Sequence, residues 1–158
     1  MGVVSFDIAR RSEFGKFDAG EYQQLDGTVT FAVDPSNAAN RNIVDLGLAP
    51  RNDQGHVEFT SDFSLVTPTD AARGNHRLIV DIPNRGSKLT AEHSHRAAAV
   101  TPEDRDRPGD GFLCHRGFSF LSIGWQWDAQ VEGGLNLNAP EATDNGDPLE
   151  GDVLMKLQ

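Results

Sequence analysis

Two nearly continuous apolar runs, Leu78-Ile-Val-Asp-Ile82 and Gly117-Phe-Ser-Phe-Leu-Ser-Ile123, constrain this chain more than any other feature. A strand with one face in water alternates apolar and polar residues, whereas an unbroken run belongs to a strand covered on both faces. The segment between them is about thirty residues long, and Ser87 to Val100, with Ala91 and Ala97 to Ala99, predicts a short helix within it. Strand, helix and strand in that order make a crossover unit that joins parallel neighbours. The rest of the connection, Thr101 to Gly111, is charged and reads as loop.

The first half of the chain has a different texture. Val4, Phe6 and Ile8 alternate against Val3, Ser5 and Asp7, and Val29, Phe31 and Val33 share one side of Thr28 to Val33, so both segments predict strands. Between them Phe14 to Gly20 reads as a loop whose two phenylalanines plug the core. A short apolar piece, Ile43 to Leu48, ends before Pro50, and Asn52 to Gly55 forms a turn. From His56 to Val66 the residues Val57, Phe59, Ser61, Phe63 and Leu65 face one way against Glu58, Thr60, Asp62 and Ser64, a half-buried antiparallel strand closing at Pro68. Beyond the second run, Leu135 and Leu137 suggest a short edge strand, Asp144 to Pro148 a turn, and Gly151 to Gln158 a strand that stops within a fold. These pieces divide the chain into a β-rich portion over 1–75, a crossover portion over 76–132 and the start of a β-type insertion over 133–158, with the seam at Thr69 to Asn75.

Charge and cysteine usage remove several functions. Lys plus Arg come to 14 against 24 for Asp plus Glu, a formal net charge of -10. Phosphate backbones and anionic leaflets are repelled by such a surface, so neither nucleic acid nor a membrane is expected as a partner. No run reaches the roughly 18 apolar residues of a membrane span, and the chain reads as soluble and cytoplasmic. Cys114 is the only cysteine, which excludes an internal disulfide and a thiolate-rich zinc site.

The reactive residue types do not assemble into motifs. His93 and His95 stand at i, i+2, which on a helix points them about 200 degrees apart, so no metal site is expected. Asp104, Asp106 and Asp110, like Asp144 and Asp147, lack the alternating register of a calcium loop. Cys114 beside His115 reads as a small core residue, because sequence neighbours on a strand face opposite ways. The string Gly117-Phe-Ser-Phe-Leu121 lacks the second glycine of a Gly-x-Ser-x-Gly elbow, which makes Ser119 structural. No cofactor is implied. The informative place is Pro83-Asn84-Arg85-Gly86, where the first apolar run gives out. A loop beyond the carboxyl end of a strand can aim backbone N–H groups at a developing oxyanion.

The order of pieces carries a resemblance. Leu25 to Asp34, Val44 to Asn52, Gly55 to Phe59, Ile79-Val-Asp-Ile-Pro-Asn-Arg-Gly86 and Gly117-Phe-Ser-Phe-Leu-Ser-Ile-Gly-Trp-Gln126 together resemble the N-terminal third of a bacterial family of α/β-hydrolase-domain proteins, esterase-like in chemistry. The likeness runs over about residues 3 to 157. It implies an α/β fold in which a β-rich antiparallel N-terminal portion leads into the first strands of an incomplete hydrolase sheet, at Arg77 to Ile82 and Gly117 to Gly124. It also implies that Asn84, Arg85 and Gly86 form part of an oxyanion hole, although the His-Gly pair common in lipases is absent. The family's nucleophile elbow, acid and catalytic histidine follow downstream, and the chain stops before the elbow. The expectation is an N-terminal fragment of a serine hydrolase, inactive alone, acting on a small-molecule ester only when completed. The competing expectation is a noncatalytic β-rich binding or assembly module with Trp125 and Trp127 at its surface, and exposed indoles would favour it. Either way, self-association or a complementing chain is expected, since one helix cannot cover two doubly buried strands.

Overall fold

A computed structural model describes residues 2–96, 107–129 and 132–152. The chain opens with a long antiparallel hairpin, β1 (Gly2–Phe17) and β2 (Gly20–Val33). Phe14 to Gly20 is therefore no loop: β1 runs through it, and Asp18 and Ala19 alone make the turn, with Phe17 facing Gly20. Phe14 is buried in the core as its apolar ring requires. β2 pairs along its length with β3 (Val57–Pro68), placing Val29 opposite Ser61 and Phe31 opposite Phe59.

β4 (Leu78–Asp81) and β5 (Ser119–Ile123) are the two apolar runs, and they pair in parallel as the crossover demands. β5 sits between β3 and β4, giving the order β1-β2-β3-β5-β4. A two-residue strand, β6 (Leu137–Asn138), also joins β3. The sheet thus crosses the seam at residue 75 and takes in part of the segment from 133 onward. A separate two-stranded hairpin, β7 (Thr143–Asp144) with β8 (Asp147–Pro148), closes at Asn145-Gly146. Both turn residues have positive φ, 52° and 95°, as such tight hairpins need.

The expectation of an α/β fold with hydrolase core strands is overturned. The molecule is β-rich, 42% strand to 15% helix, with a mixed sheet and, among the described residues, two short helices, α1 (Thr90–His95) and α2 (Phe112–His115). The helix expected over Ser87 to Val100 is thus confined to one and a half turns in the described part. Residues 97–100, the charged stretch over 101–106 and the terminal strand over 153–158 lie outside the described residues. Nor is β4 covered on both faces: Leu78, Val80 and Ile82 are each more than half exposed. A continuous apolar run indicates the capacity to be buried from both sides, and supplies nothing to do the burying.

The two faces of the sheet differ. On one, α1 and α2 pack Leu113, Cys114 and His95 against Tyr22, Val66 and Phe120, and Phe14 completes this cluster. The opposite face carries Leu25, Val29 and Phe63, with Phe31, Leu65, Leu121 and Ile123 around them. Paired residues of neighbouring strands share a face, so Leu78, Val80 and Ile82 continue this apolar side. β1 reaches it through register shifts between Val3 and Ser5 and between Ile8 and Arg10. The first shift places Val3, Phe6 and Ile8 opposite Phe31, Val29 and Gly27, so that Val3 joins their side of the sheet in place of Val4.

Gly27 explains how the hairpin can curl. A Cβ there would strike the Asp7 carbonyl oxygen, so the bare backbone admits a close approach of β1. Over this gap the Phe6 ring stacks on Phe63 with centroids 4.1 Å apart, two strands away.

Candidate functional site

The loop that follows β4 is a single 3-10 turn, Asn84–Gly86, entered from buried Pro83. Arg85 holds a left-handed conformation, φ 54° and ψ 33°. Three contacts from the far end of β5 keep it there. The Arg85 N–H donates to Gln126 Oε1 at 2.7 Å, Arg85 Nη1 meets Asp128 Oδ2 at 2.8 Å, and Trp125 Nε1 donates to the Pro83 carbonyl at 2.8 Å. Gly86 is buried at φ 79°, and a Cβ on it would lie 2.8 Å from the Ala129 Cβ and 2.9 Å from the Leu135 carbonyl oxygen. Its own carbonyl accepts from Leu135 N–H at 3.0 Å. The three residues singled out in the sequence, Asn84, Arg85 and Gly86, therefore stand together at the carboxyl end of a parallel strand. The Arg85 N–H already has an acceptor, and packing against the Leu135 segment by itself requires glycine at 86.

Asp81, the last residue of β4, organises the base of this loop. Its Oδ2 accepts from Ser122 Oγ at 2.9 Å and from Leu89 N–H at 3.2 Å, which ties β4, β5 and the start of α1 to one carboxylate. Ser119 and Ser61 are likewise structural. Ser119 Oγ and Thr67 Oγ1 are 2.9 Å apart, and buried Ser61 Oγ donates to the Gly124 carbonyl at 2.6 Å. No serine hydroxyl is hydrogen-bonded to a histidine among the described residues.

The histidine and cysteine chemistry lies inside the core. Cys114 is fully buried, and burial pushes its thiol up to about 12, so it is a protonated packing residue at neutral pH. His95 is also fully buried, edge-on to Phe120 at 5.3 Å, with neither ring nitrogen hydrogen-bonded among the described residues. Burial pushes its pKa below the usual value, while the Asp110 carboxylate and the nearby Pro108 carbonyl oppose the shift. His93 Nδ1 lies 3.1 Å from the Leu89 carbonyl. No three metal-binding side chains converge among the described residues.

What the structure adds is the open apolar face. A groove of about 370 Å³ runs between β1 and β4, with Phe6, Leu65, Leu78 and Leu121 along it and Thr67 and Ser119 at one end. Leu78 is 53% exposed and no described element lies over it. At the other end of the same face a second apolar hollow of about 360 Å³ is framed by Val33, Ile43, Val57, Phe59 and Leu137. Near the loop, Trp125 is 50% and Trp127 80% exposed. The groove residues lie in strands legible from the sequence, but β5 inserting between β3 and β4 is what lines them up. Among the described residues no helix is long and apolar enough to cross a membrane.

Compared with known proteins, the chain matches no family model, no curated protein and no solved structure.

Proposed function

We propose that this chain is a noncatalytic β-sheet module that acts by assembly: a sheet layer finished when further polypeptide covers its apolar face and its β4 edge. The observation that carries the reading is the open row Phe6, Leu65, Leu121 and Leu78, drawn from four strands of the sheet, with no layer above it among the described residues. A sheet with an apolar face is stable when that face packs on another layer, and exposed apolar patches of this kind mark interaction surfaces. The exposed indoles of Trp125 and Trp127 support it, since tryptophan is enriched where proteins meet. The charge of -10 argues against nucleic acid or an anionic membrane as the covering layer. A cytoplasmic location suits a lone, buried, reduced thiol.

A hydrophobic dye tests the reading. The wild-type chain should bind it in its native state, and Leu78→Lys with Val80→Lys should reduce that binding while leaving the melting temperature within about 3 °C, because both side chains already face solvent. Absence of dye binding to the native chain, or unfolding of the double variant, would show that the face is covered.

The position of Asn84 to Gly86 favours a second reading. Ligands of sheets with parallel strands gather beyond the carboxyl ends of those strands, and this loop lies there. In that reading the completed assembly hydrolyses small-molecule carboxylic esters. The completing polypeptide supplies serine, acid and histidine, and this loop offers backbone N–H groups to the tetrahedral oxyanion. Turnover of an aryl ester that requires both polypeptides and is blocked by a serine-directed phosphonate would support it, and an assembled but inert complex would exclude it.

A further inference from the structure

We propose that the polypeptide completing the β4 edge is a second copy of this chain, whose β4 adds antiparallel to the first across a twofold axis. The inference rests on the assembly reading above and names its partner. Among the described residues β4 pairs with β5 alone and ends the strand order. The Ser119 N–H donates to the Arg77 carbonyl, which fixes the backbone polar groups of Arg77, and so of Ile79 and Asp81, toward β5. Those of Leu78 and Val80 alternate to the other side and face outward, unpaired among the described residues. An edge of this kind templates pairing with another chain.

The other edge of the sheet is less suited to this. β1 is broken by three register shifts and carries Arg10, Arg11, Glu13 and Lys16, the devices by which edge strands are blunted. β4 is unbroken, and the two residues whose backbone groups face outward are uncharged. A strand pairing with its own copy must be antiparallel, and its two outward-facing residues then allow few registers. Placing Leu78 opposite Val80 of the partner forms about four main-chain hydrogen bonds and sets Ile79 against Ile79 on the axis. It also sets Arg77 opposite Asp81 at both ends. Neither of these side chains has an ion pair in the described residues, and they are of opposite sign, the partner's arginine meeting the Asp81 carboxylate that also accepts from Ser122 and Leu89 through Oδ2. Sliding the register by two residues in either direction matches no opposite charges, so the flanking pair selects one alignment. Leu78 and Val80 of both copies then form one apolar strip on the open face, next to the groove.

Mass measurement by light scattering and sedimentation at about 100 µM protein tests this, since contacts made by one short strand are weak. The wild type should dimerise reversibly. Val80→Pro removes an outward donor at an edge position where proline is tolerated, and should give a monomer with an unchanged circular dichroism spectrum. Should that variant misfold, Arg77→Asp at an exposed site decides the matter: it sets two like charges opposite each other twice and should raise the dimer dissociation constant about tenfold. In the proposed register Ile79→Cys should give a disulfide-linked dimer, with buried Cys114 left unreacted. A dimer unaffected by Arg77→Asp, or open-ended growth in place of a closed pair, would overturn the inference. A monomer that still binds the hydrophobic dye would overturn the second copy and leave the assembly reading standing. A monomer that binds no dye would remove both.

Discussion

Replacing His95 by leucine probes the tightest point of the helix-covered core. The imidazole is fully buried against Phe120, and neither nitrogen has a hydrogen-bond partner among the described residues. An unsatisfied buried polar group costs about 1–3 kcal/mol, and loss of the ring-edge contact takes back about 0.5–1.5 kcal/mol. At about pH 8 the variant His95→Leu should therefore lie between a loss of about 0.5 and a gain of about 2.5 kcal/mol. The pH dependence is the sharper signature. In the unfolded chain the imidazole takes up a proton near its ordinary value of 6.5, while burial depresses the native pKa below that. The native state binds fewer protons in this window, so the histidine leaves stability intact above 6.5 and lowers it as pH falls toward the native value, with a slope of at most about 1.4 kcal/mol per pH unit. Urea titrations followed by circular dichroism at about pH 8, 6.5 and 5.5 would measure this in both proteins. The other four histidines are common to them, so the difference isolates His95. The wild type should lose more stability than the variant over the lowest interval. Equal losses would mean that His95 finds a partner or water in solution, and the account of its burial would fail.

Three further outcomes follow from particular contacts. Gly27→Ala should cost about 2 kcal/mol or more, measured as a fall in urea midpoint, because the new Cβ meets the Asp7 carbonyl and pries β1 from β2. Burial raises the Asp26 pKa, but hydrogen bonds from Ser64, Gln24 and Arg10 outweigh it and hold the carboxyl below 3.8. Its stabilisation is present above that value and lost as pH falls through the native pKa, so Asp26→Asn should flatten the acid limb of a stability-against-pH curve. Finally, the isolated chain should neither hydrolyse aryl esters above a denatured control nor react with a serine-directed phosphonate. Saturable turnover would point back to Ser119 and Ser122, whose hydroxyls are engaged by Thr67 and Asp81.

The sequence by itself located the principal strands and the end of some of them, while β2 begins at Gly20, well before Thr28. Alternation through Val57, Phe59, Ser61, Phe63 and Leu65 is a consequence of the two-residue pleat, and Pro83 with Gly86 ends β4 through local sterics. The same local logic located Asn84 to Gly86 as a loop; Cys114 is the core residue expected, but it is buried from helix α2, not from a strand. Tertiary structure alone decided what those strands meet. Phe14 to Phe17 continues β1 because β2 lies alongside to receive its hydrogen bonds, and Val3 changes sides because of a bulge set by that partner. Leu78, Val80 and Ile82 have the composition of a doubly buried strand, but strand order puts them at the edge. Hydrophobicity records a side chain's preference for burial, whereas coverage depends on contacts between residues far apart in sequence, which no local pattern encodes.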